Sequence, residues 1–146
     1  MGLDIIRPMW YHYNIMKLIN RNVDYAVRAL VFMARANKPT VSVTQMQAEV
    51  VVARPFLRKI LQKLHKAGIL QAVKGKGGGF ALARTPENIN LSDLVSVLQG
   101  PLKLNDCIFK KKICQNHGAC LLRHKIAVIE TRMLSEIKGI TVKDLI

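Results

Sequence analysis

The sequence predicts a mainly α-helical fold that carries one small β-hairpin. Apolar residues recur at helical spacing in the first half of the chain and again after residue 120. Between 69 and 83 this spacing gives way to two short apolar runs on either side of a glycine-rich stretch. With 146 residues, 50% of them hydrophobic, the chain can bury the core of one domain and extend it with one further element.

Three helices are predicted before the hairpin. The first is expected at 22–36, where apolar residues form one face of a helix. A short second helix is expected at 43–50, because Ser42 and Gln45 have the spacing of a capping box. The third is expected at 55–68, with a proline in its first turn and a glycine at its end. Its buried stripe is predicted to consist of Phe56, Leu57, Ile60, Leu61 and Leu64.

The hairpin and two later helices complete the predicted order. Strands at 69–73 and 80–83 flank a tip at 74–79 that contains only glycine and lysine. A short helix at 91–99 and a long helix at 121–138 follow. Helix, helix, helix and hairpin in this order are typical of a winged helix-turn-helix. The predicted fold class is therefore a winged helix-turn-helix, mainly α with a β-hairpin wing, followed by a long C-terminal helix.

The chain is predicted to have four parts. Residues 1–15 form an N-terminal extension, which either precedes the natural start at Met16 or is an arm carrying the single tryptophan. The winged helix-turn-helix spans 16–100, a loop containing all three cysteines spans 101–120, and the C-terminal helix and tail span 121–146.

The charge balance indicates a polyanionic partner. The 23 Lys and Arg residues against nine Asp and Glu residues give a formal charge of +14. A surplus of this size favours nucleic acid first and an anionic membrane surface second. No apolar run approaches the roughly 20 residues of a membrane span. The N-terminus also lacks the charged, apolar and small-residue order of a signal peptide. We therefore expect a cytoplasmic protein that is not inserted in a membrane.

A basic surface is predicted on the third helix and the wing. No Asp or Glu occurs between Val50 and Pro86. The basic residues of the third helix lie opposite its apolar stripe, so the helix is expected to enter the major groove of DNA with Arg58 and Lys59 at base edges. The alternative is a solvated basic helix with a loose glycine turn. The predicted DNA-contacting residues are Arg54, Arg58, Lys59, Lys63, Lys66, Lys74, Lys76, Gly77 and Gly78.

The three cysteines indicate a metal or cluster site. Six residues separate Cys107 from Cys114, and five separate Cys114 from Cys120. This spacing is neither the paired pattern of common zinc folds nor a ferredoxin run. Three thiolates on one loop can hold an iron–sulfur cluster if a weaker fourth ligand completes the site, which suits sensing. The candidate fourth ligands are Asp24, His117 and His124.

Four stretches, together with the cysteine triad, carry a family resemblance. They are Met16-Lys-Leu18, Asp24-Tyr-Ala-Val-Arg-Ala-Leu30, Pro55-Phe-Leu-Arg-Lys-Ile60 and Gly75-Lys-Gly-Gly-Gly-Phe-Ala-Leu82. From Met16 to its end, the chain resembles the Rrf2 superfamily of winged-helix transcription regulators, whose cluster-bearing subfamilies are IscR-like and NsrR-like. The resemblance implies a homodimer, a palindromic operator in double-stranded DNA, and a cluster ligated by the three cysteines.

The resemblance also bears on the dimer. It implies that the long C-terminal helices of two subunits pack together. The dimerisation seam would then consist of five apolar residues at helical spacing, namely Leu122, Ile126, Ile129, Met133 and Ile137.

The fourth ligand distinguishes the subfamilies. The IscR-like pattern places a histidine three residues after the last cysteine, where this chain has Arg123, and His124 stands one position later. The stretch that begins at Asp24 matches the NsrR-like pattern, which implies that Asp24 reaches the cluster of the other subunit. This favours a 4Fe-4S cluster over a 2Fe-2S cluster, with nitric oxide as the leading signal and redox state or iron supply as alternatives.

Other interpretations remain open for these residues. Asp24 can instead be an acid that interacts with the dipole of its own helix. The cysteines can be reduced thiols in a small core, or they can hold a structural zinc ion together with His117 or His124. An enzyme with a nucleophilic cysteine is not expected, because the sequence has neither a glycine-rich nucleotide loop after a strand nor paired carboxylates near the histidines.

Overall fold

The computed structural model describes residues 17–104 and 118–146. The N-terminal extension at 1–15 lies outside these residues. The described parts contain five α-helices and one pair of strands in the predicted order, and short 3₁₀ turns follow the hairpin and the last helix. The elements are α1 (Arg21–Ala36), α2 (Val43–Met46), α3 (Arg54–Lys66), β1 (Leu70–Val73), β2 (Gly79–Leu82), α4 (Leu91–Leu98) and α5 (Leu121–Gly139).

Helix α1 begins and ends at asparagines. The side chain of Asn20 accepts a hydrogen bond from the N–H of Val23, which satisfies a donor that the first turn leaves free. The main-chain N–H of Asn20 donates to the side-chain oxygen of Gln99 over 2.8 Å. Asn37 ends the helix in the left-handed conformation with φ of 46°. The two asparagines that cap its ends therefore fix the length of α1.

Helix α2 is shorter than predicted. The capping box of Ser42 and Gln45 is present, with both of its hydrogen bonds formed. After Met46 the N–H groups of Ala48 and Glu49 donate to carbonyls three residues earlier, which is a turn and not a regular α-helix, and the side-chain amide of Gln47 donates to the carbonyl of Val52 over 3.1 Å. The predicted helix at 43–50 therefore ends at Met46, and the bond from Gln47 attaches the following segment to the end of the helix.

The core lies between α1, α3, α4 and the wing. Its largest fully buried side chains include Leu30 from α1 and Leu94 from α4. Helix α3 contributes four buried residues, which are Leu57, Ile60, Leu61 and Leu64. Phe56 was predicted to belong to this stripe, but its side chain is 40% exposed. Its ring makes an edge-to-face contact with Tyr25 at a centroid distance of 6.1 Å, at the rim of the core.

The wing is a two-stranded antiparallel sheet extended by one bridge. Leu70 pairs with Leu82, and Val73 pairs with Gly79. Val41, in the segment before α2, exchanges two main-chain hydrogen bonds of 2.9 Å with Phe80. The wing is thereby attached to the helix-turn-helix by main-chain hydrogen bonds as well as by side-chain packing.

Two wing glycines are required by contacts within the chain. A Cβ atom on Gly79 would lie 2.2 Å from the carbonyl oxygen of Val41, and a Cβ on Gly78 would lie 2.5 Å from that of Val73. Gly77 has φ of 80°, a conformation that side-chain-bearing residues rarely adopt. These glycines therefore shape the hairpin itself.

The five residues of the predicted seam on helix α5 differ in how far they are buried. Ile137 is buried, and Met133 packs against the core of the same chain. Ile126 is half-buried, whereas Leu122 and Ile129 are 67% and 56% exposed. The second half of the seam is thus covered by its own domain, and the dimerisation role of the seam stays a prediction. No helix in the described parts of the chain is long and apolar enough to cross a membrane.

Candidate nucleic-acid interface and cysteine segment

Helix α3 has one buried face and one cationic face. Its buried leucines and isoleucine hold it against the core, while every basic residue on the other face is exposed. None of these basic side chains forms an ion pair with a carboxylate among the residues that the structure describes. The face therefore presents uncompensated positive charge to a polyanion. Its residues are Arg54, Arg58, Lys59, Lys63 and Lys66.

The tip of the wing adds two further cations. Lys74 and Lys76 are exposed on either side of Gly75, which has φ of 96°. Gly77 is exposed and Gly78 is half-exposed. A Cβ atom at position 78 would collide with the carbonyl oxygen of Val73, and position 77 has a positive φ. Gly77 and Gly78, which were predicted to approach DNA, therefore have a structural reason to be glycine even without DNA.

The end of α3 is connected directly to the wing. The Nδ1 atom of His65 lies 3.1 Å from the carbonyl oxygen of Leu70, the first residue of β1. A hydrogen bond here fixes the direction in which the wing leaves the helix. The predicted groove-binding helix and the hairpin are thus joined by a side-chain contact as well as by the connecting chain, which the sequence pattern did not reveal.

The turn between α2 and α3 exposes an apolar side chain that the sequence analysis did not single out. Val51 is 90% exposed, although Val50 beside it is fully buried. The N–H of Val52 donates to the carbonyl of Val50 over 2.8 Å, so Val51 stands at the apex of a three-residue turn.

One of the three cysteines lies within the described residues. Cys120 is half-buried and is the residue immediately before α5. His124 is exposed one turn later, and its N–H donates to the carbonyl of Cys120 over 3.1 Å. Cys107, Cys114 and His117 lie outside the described residues. Within residues 17–104 and 118–146, no three His, Cys, Asp or Glu side chains form a metal-binding group.

Asp24 lies on the outer side of α1. Its carboxylate is half-exposed and accepts a hydrogen bond from the Nε–H of Arg28 over 3.1 Å. The two side chains line one end of a shallow cavity of about 320 Å³, whose apolar wall includes Val31 and Phe32. Asp24 is therefore both accessible and already paired with a residue of its own helix.

The segment that leads to the cysteines is tied at two points. The N–H of Leu104 donates to a carboxylate oxygen of Glu130 over 3.1 Å, which fixes the chain against α5. The side-chain amide of Gln99 donates to the carbonyl of Leu18 over 3.1 Å, and its oxygen accepts from Asn20. The residues that directly precede the cysteine segment are therefore attached both to α5 and to the start of α1.

The fold and its cationic face define a winged-helix DNA-binding protein. The family model described as "Iron-dependent Transcriptional regulator" matches residues 19–146, and the chain belongs to this family, Rrf2. It is therefore a transcription regulator. The regulator NsrR of Shouchella clausii is 30% identical over 125 residues, which are 84% of each chain.

Two solved structures share the fold. CymR, the global cysteine regulator of Bacillus subtilis, has a TM-score of 0.69 at 19% identity, covering 87% of this chain and 94% of its own. IscR of T. potens has a TM-score of 0.66 at 23% identity, covering 87% and 84%. These relatives are transcription regulators and not enzymes, as the sequence analysis predicted.

Proposed function

We propose that the chain is a cytoplasmic homodimeric regulator whose affinity for a palindromic operator is controlled by an iron–sulfur cluster bound to Cys107, Cys114 and Cys120. One observation supports this most strongly. All three cysteines lie in the short segment between the winged helix-turn-helix and α5. A chemical change at the cysteines would therefore act on the position of both the winged helix-turn-helix and α5. We favour a 4Fe-4S cluster over a 2Fe-2S cluster. Nitric oxide is the leading signal, and redox state or iron supply are the alternatives.

The donor set fits such a cluster. Thiolates are the ligands that iron–sulfur clusters prefer, and the described thiol, that of Cys120, is half-buried at the start of a helix. The half-exposed carboxylate of Asp24 is a hard oxygen donor that a second subunit can approach. A bound cluster would supply a group that nitric oxide or oxidation can alter, and Asp24 would hold it through a weaker ligand than the three thiolates.

The DNA-binding role is assigned to the cationic face of α3 and to the wing. Arg58 and Lys59, in the first half of α3, would contact base edges, and Lys63 and Lys66 would contact phosphates. Lys74 and Lys76 at the wing tip would contact the backbone beside the neighbouring minor groove. Because His65 bonds the end of α3 to the wing, both elements would dock as one unit.

The homodimer is proposed to form through the first half of α5. Leu122 and Ile129 are large apolar side chains that the described part of the chain leaves exposed, and burial in a second copy would remove them from water. Such a dimer would hold two α3 helices at the separation of about one DNA turn that a palindrome requires. The cysteine segment of one subunit would contact α1 of the other, so loss of the cluster would change this separation.

A structural zinc ion is the second candidate. It is favoured by the position of His124, which lies one helical turn after Cys120 and is exposed. Four ligands of the type Cys3His suit tetrahedral zinc. In this case the segment would be held permanently, and it would not respond to nitric oxide.

Anaerobic native mass spectrometry of the full chain distinguishes these candidates. We expect a dimer whose extra mass corresponds to iron and sulfide, and whose operator affinity at fixed salt changes when the cluster is removed. A dimer that carries zinc alone would replace the cluster proposal with the second candidate. Unchanged operator affinity after cluster removal would contradict the sensing role while leaving the DNA-binding role intact.

A further inference from the structure

Val51 is presented to solvent by a turn whose two flanks are buried. Val50 is fully buried on one side, and Val52 packs partly against the core on the other. The hydrogen bond of 2.8 Å from the N–H of Val52 to the carbonyl of Val50 closes a three-residue turn around Val51. With both flanks directed inward, the side chain at the apex points away from the domain and is 90% exposed.

The turn is also fixed from outside. The side-chain amide of Gln47 donates to the carbonyl of Val52 over 3.1 Å, so α2 holds the far side of the turn. A β-branched side chain has few rotamers. The methyl groups of Val51 are therefore held at a defined place in solvent, which is an unfavourable position for an apolar group that has no partner.

The position in the fold indicates the partner. Val51 lies three residues before Arg54, the first residue of α3, and the N-terminal end of the second helix of a helix-turn-helix is the part that contacts base edges. From residue 51 to residue 85 the chain has no carboxylate side chain, and the exposed face of α3 is cationic. Charge complementarity favours a polyanion on this side of the molecule over another protein. The major groove offers one apolar feature, which is the C5-methyl group of thymine.

We propose that Val51 contacts a thymine methyl group in the major groove and is a specificity-determining residue of the DNA-binding surface. This rests on the DNA-binding part of the proposed function and is independent of the cysteines. It assigns a thymine to each half-site, beside the bases that face Arg58 and Lys59. Apolar contact gives Val51 a sequence preference, which a lysine on a phosphate cannot give.

The test uses full-length protein prepared without oxygen. Wild-type protein first selects duplexes from a randomised DNA library at fixed salt. Each thymine of the selected sequence is then replaced by deoxyuridine, which removes only the methyl group. We expect one replacement in each half-site to weaken wild-type binding by about fourfold, the effect of one buried methyl-sized group.

The variant Val51→Ala, combined with the deoxyuridine replacements, completes a double-mutant cycle between the side chain and the thymine methyl group. We expect it to bind the selected duplex about fourfold more weakly than wild type and to lose its sensitivity to deoxyuridine at that same position. Val128→Ala is the matched control, because Val128 is exposed on the side of α5 away from the predicted seam and far along the chain from α3. This control should keep the wild-type sensitivity. A melting temperature near that of wild type for Val51→Ala would show that the domain is intact.

Three outcomes would overturn the proposal. In the first, Val51→Ala keeps the same methyl sensitivity as wild type. In the second, it weakens binding equally on every duplex, which indicates contact with the DNA backbone. In the third, it changes the oligomeric state, which indicates a second copy as the partner. If wild-type protein selects no sequence at all, the operator-binding proposal itself fails, and that result is distinguishable from the other three.

Discussion

The Nε–H of Arg28 donates a hydrogen bond to Oδ2 of Asp24 over 3.1 Å, one turn along the outer side of α1. Both side chains are half-exposed, so the pair contributes only about 0.3–0.5 kcal/mol to the stability of the helix. A carboxylate with so weak a partner can be shared with another group at little cost. The pair therefore keeps Asp24 oriented outward without preventing it from acting as a ligand.

Removal of the Asp24 carboxylate should weaken cluster retention without unfolding the protein. Asp24→Ala is expected to change the free energy of unfolding by less than about 0.5 kcal/mol, because the lost pair is exposed. Anaerobic native mass spectrometry should show a smaller fraction of cluster-loaded dimer. Arg28→Ala is the matched control, since it removes the same ion pair and keeps the carboxylate. Equal cluster loading in all three proteins would exclude Asp24 as a ligand.

Removal of a wing lysine should lower the salt dependence of DNA binding. Each lost phosphate contact reduces the slope of log K against log salt concentration by about 0.9, and we expect this for both Lys74→Ala and Lys76→Ala. Binding titrations on one duplex over a range of salt concentrations measure the slope. Lys143→Ala is the control, because Lys143 lies on the C-terminal turn and its ammonium group is 3.8 Å from a carboxylate oxygen of Glu87. An unchanged slope in both wing variants would place the wing away from the phosphates.

Alanine at Gly79 should disrupt the attachment of the wing. Its Cβ would lie 2.2 Å from the carbonyl oxygen of Val41, so the two hydrogen bonds between Val41 and Phe80 must lengthen or break. We expect a loss of about 1–3 kcal/mol in the free energy of unfolding. Gly139→Ala serves as the comparison, because no atom lies within 4 Å of the added Cβ at the end of α5. Denaturant unfolding measures both variants, and similar stability in the two would contradict the close approach.

The two halves of the α5 seam should respond differently to truncation. Ile137→Ala is expected to cost about 2–5 kcal/mol of stability, because Ile137 is buried in the core of its own chain. Leu122→Ala should change the stability of the subunit by about 0.5 kcal/mol or less, since the side chain is exposed, yet raise the dimer dissociation constant. Thermal unfolding and analytical ultracentrifugation separate the two effects. An unchanged dimer dissociation constant for Leu122→Ala would show that the interface lies elsewhere.

Local signals in the sequence were sufficient to predict the order of the elements. The capping box of Ser42 and Gln45 forms as expected, and the apolar stripe of α3 is buried from Leu57 to Leu64. Phe56 was assigned wrongly to that stripe, because helical spacing does not tell whether an aromatic ring at the edge of the stripe reaches the core. Helix α2 ends early at Met46, and Gln47 then bonds to the main chain five residues later, a contact that no periodicity encodes.

Residues that depend on distant parts of the chain were less predictable. The spacing of the α5 seam is the same whether its own domain or a second subunit covers it, so the burial of Ile137 could not be foreseen. The glycines of the wing were interpreted as an approach to DNA, although Gly78 and Gly79 are required by carbonyls of the same chain. Val51 was overlooked because an apolar run gives no sign that its middle residue is turned outward.

The side chain of Gln99 has a consequence for how motion can spread through the subunit. One amide bonds both to the carbonyl of Leu18 and to the N–H of Asn20, which lie 81 and 79 residues earlier in the chain. Gln99 is followed directly by Gly100, where the main chain departs toward the cysteines. A displacement of the main chain at Gly100 is therefore transmitted to the start of α1 through the two hydrogen bonds of Gln99.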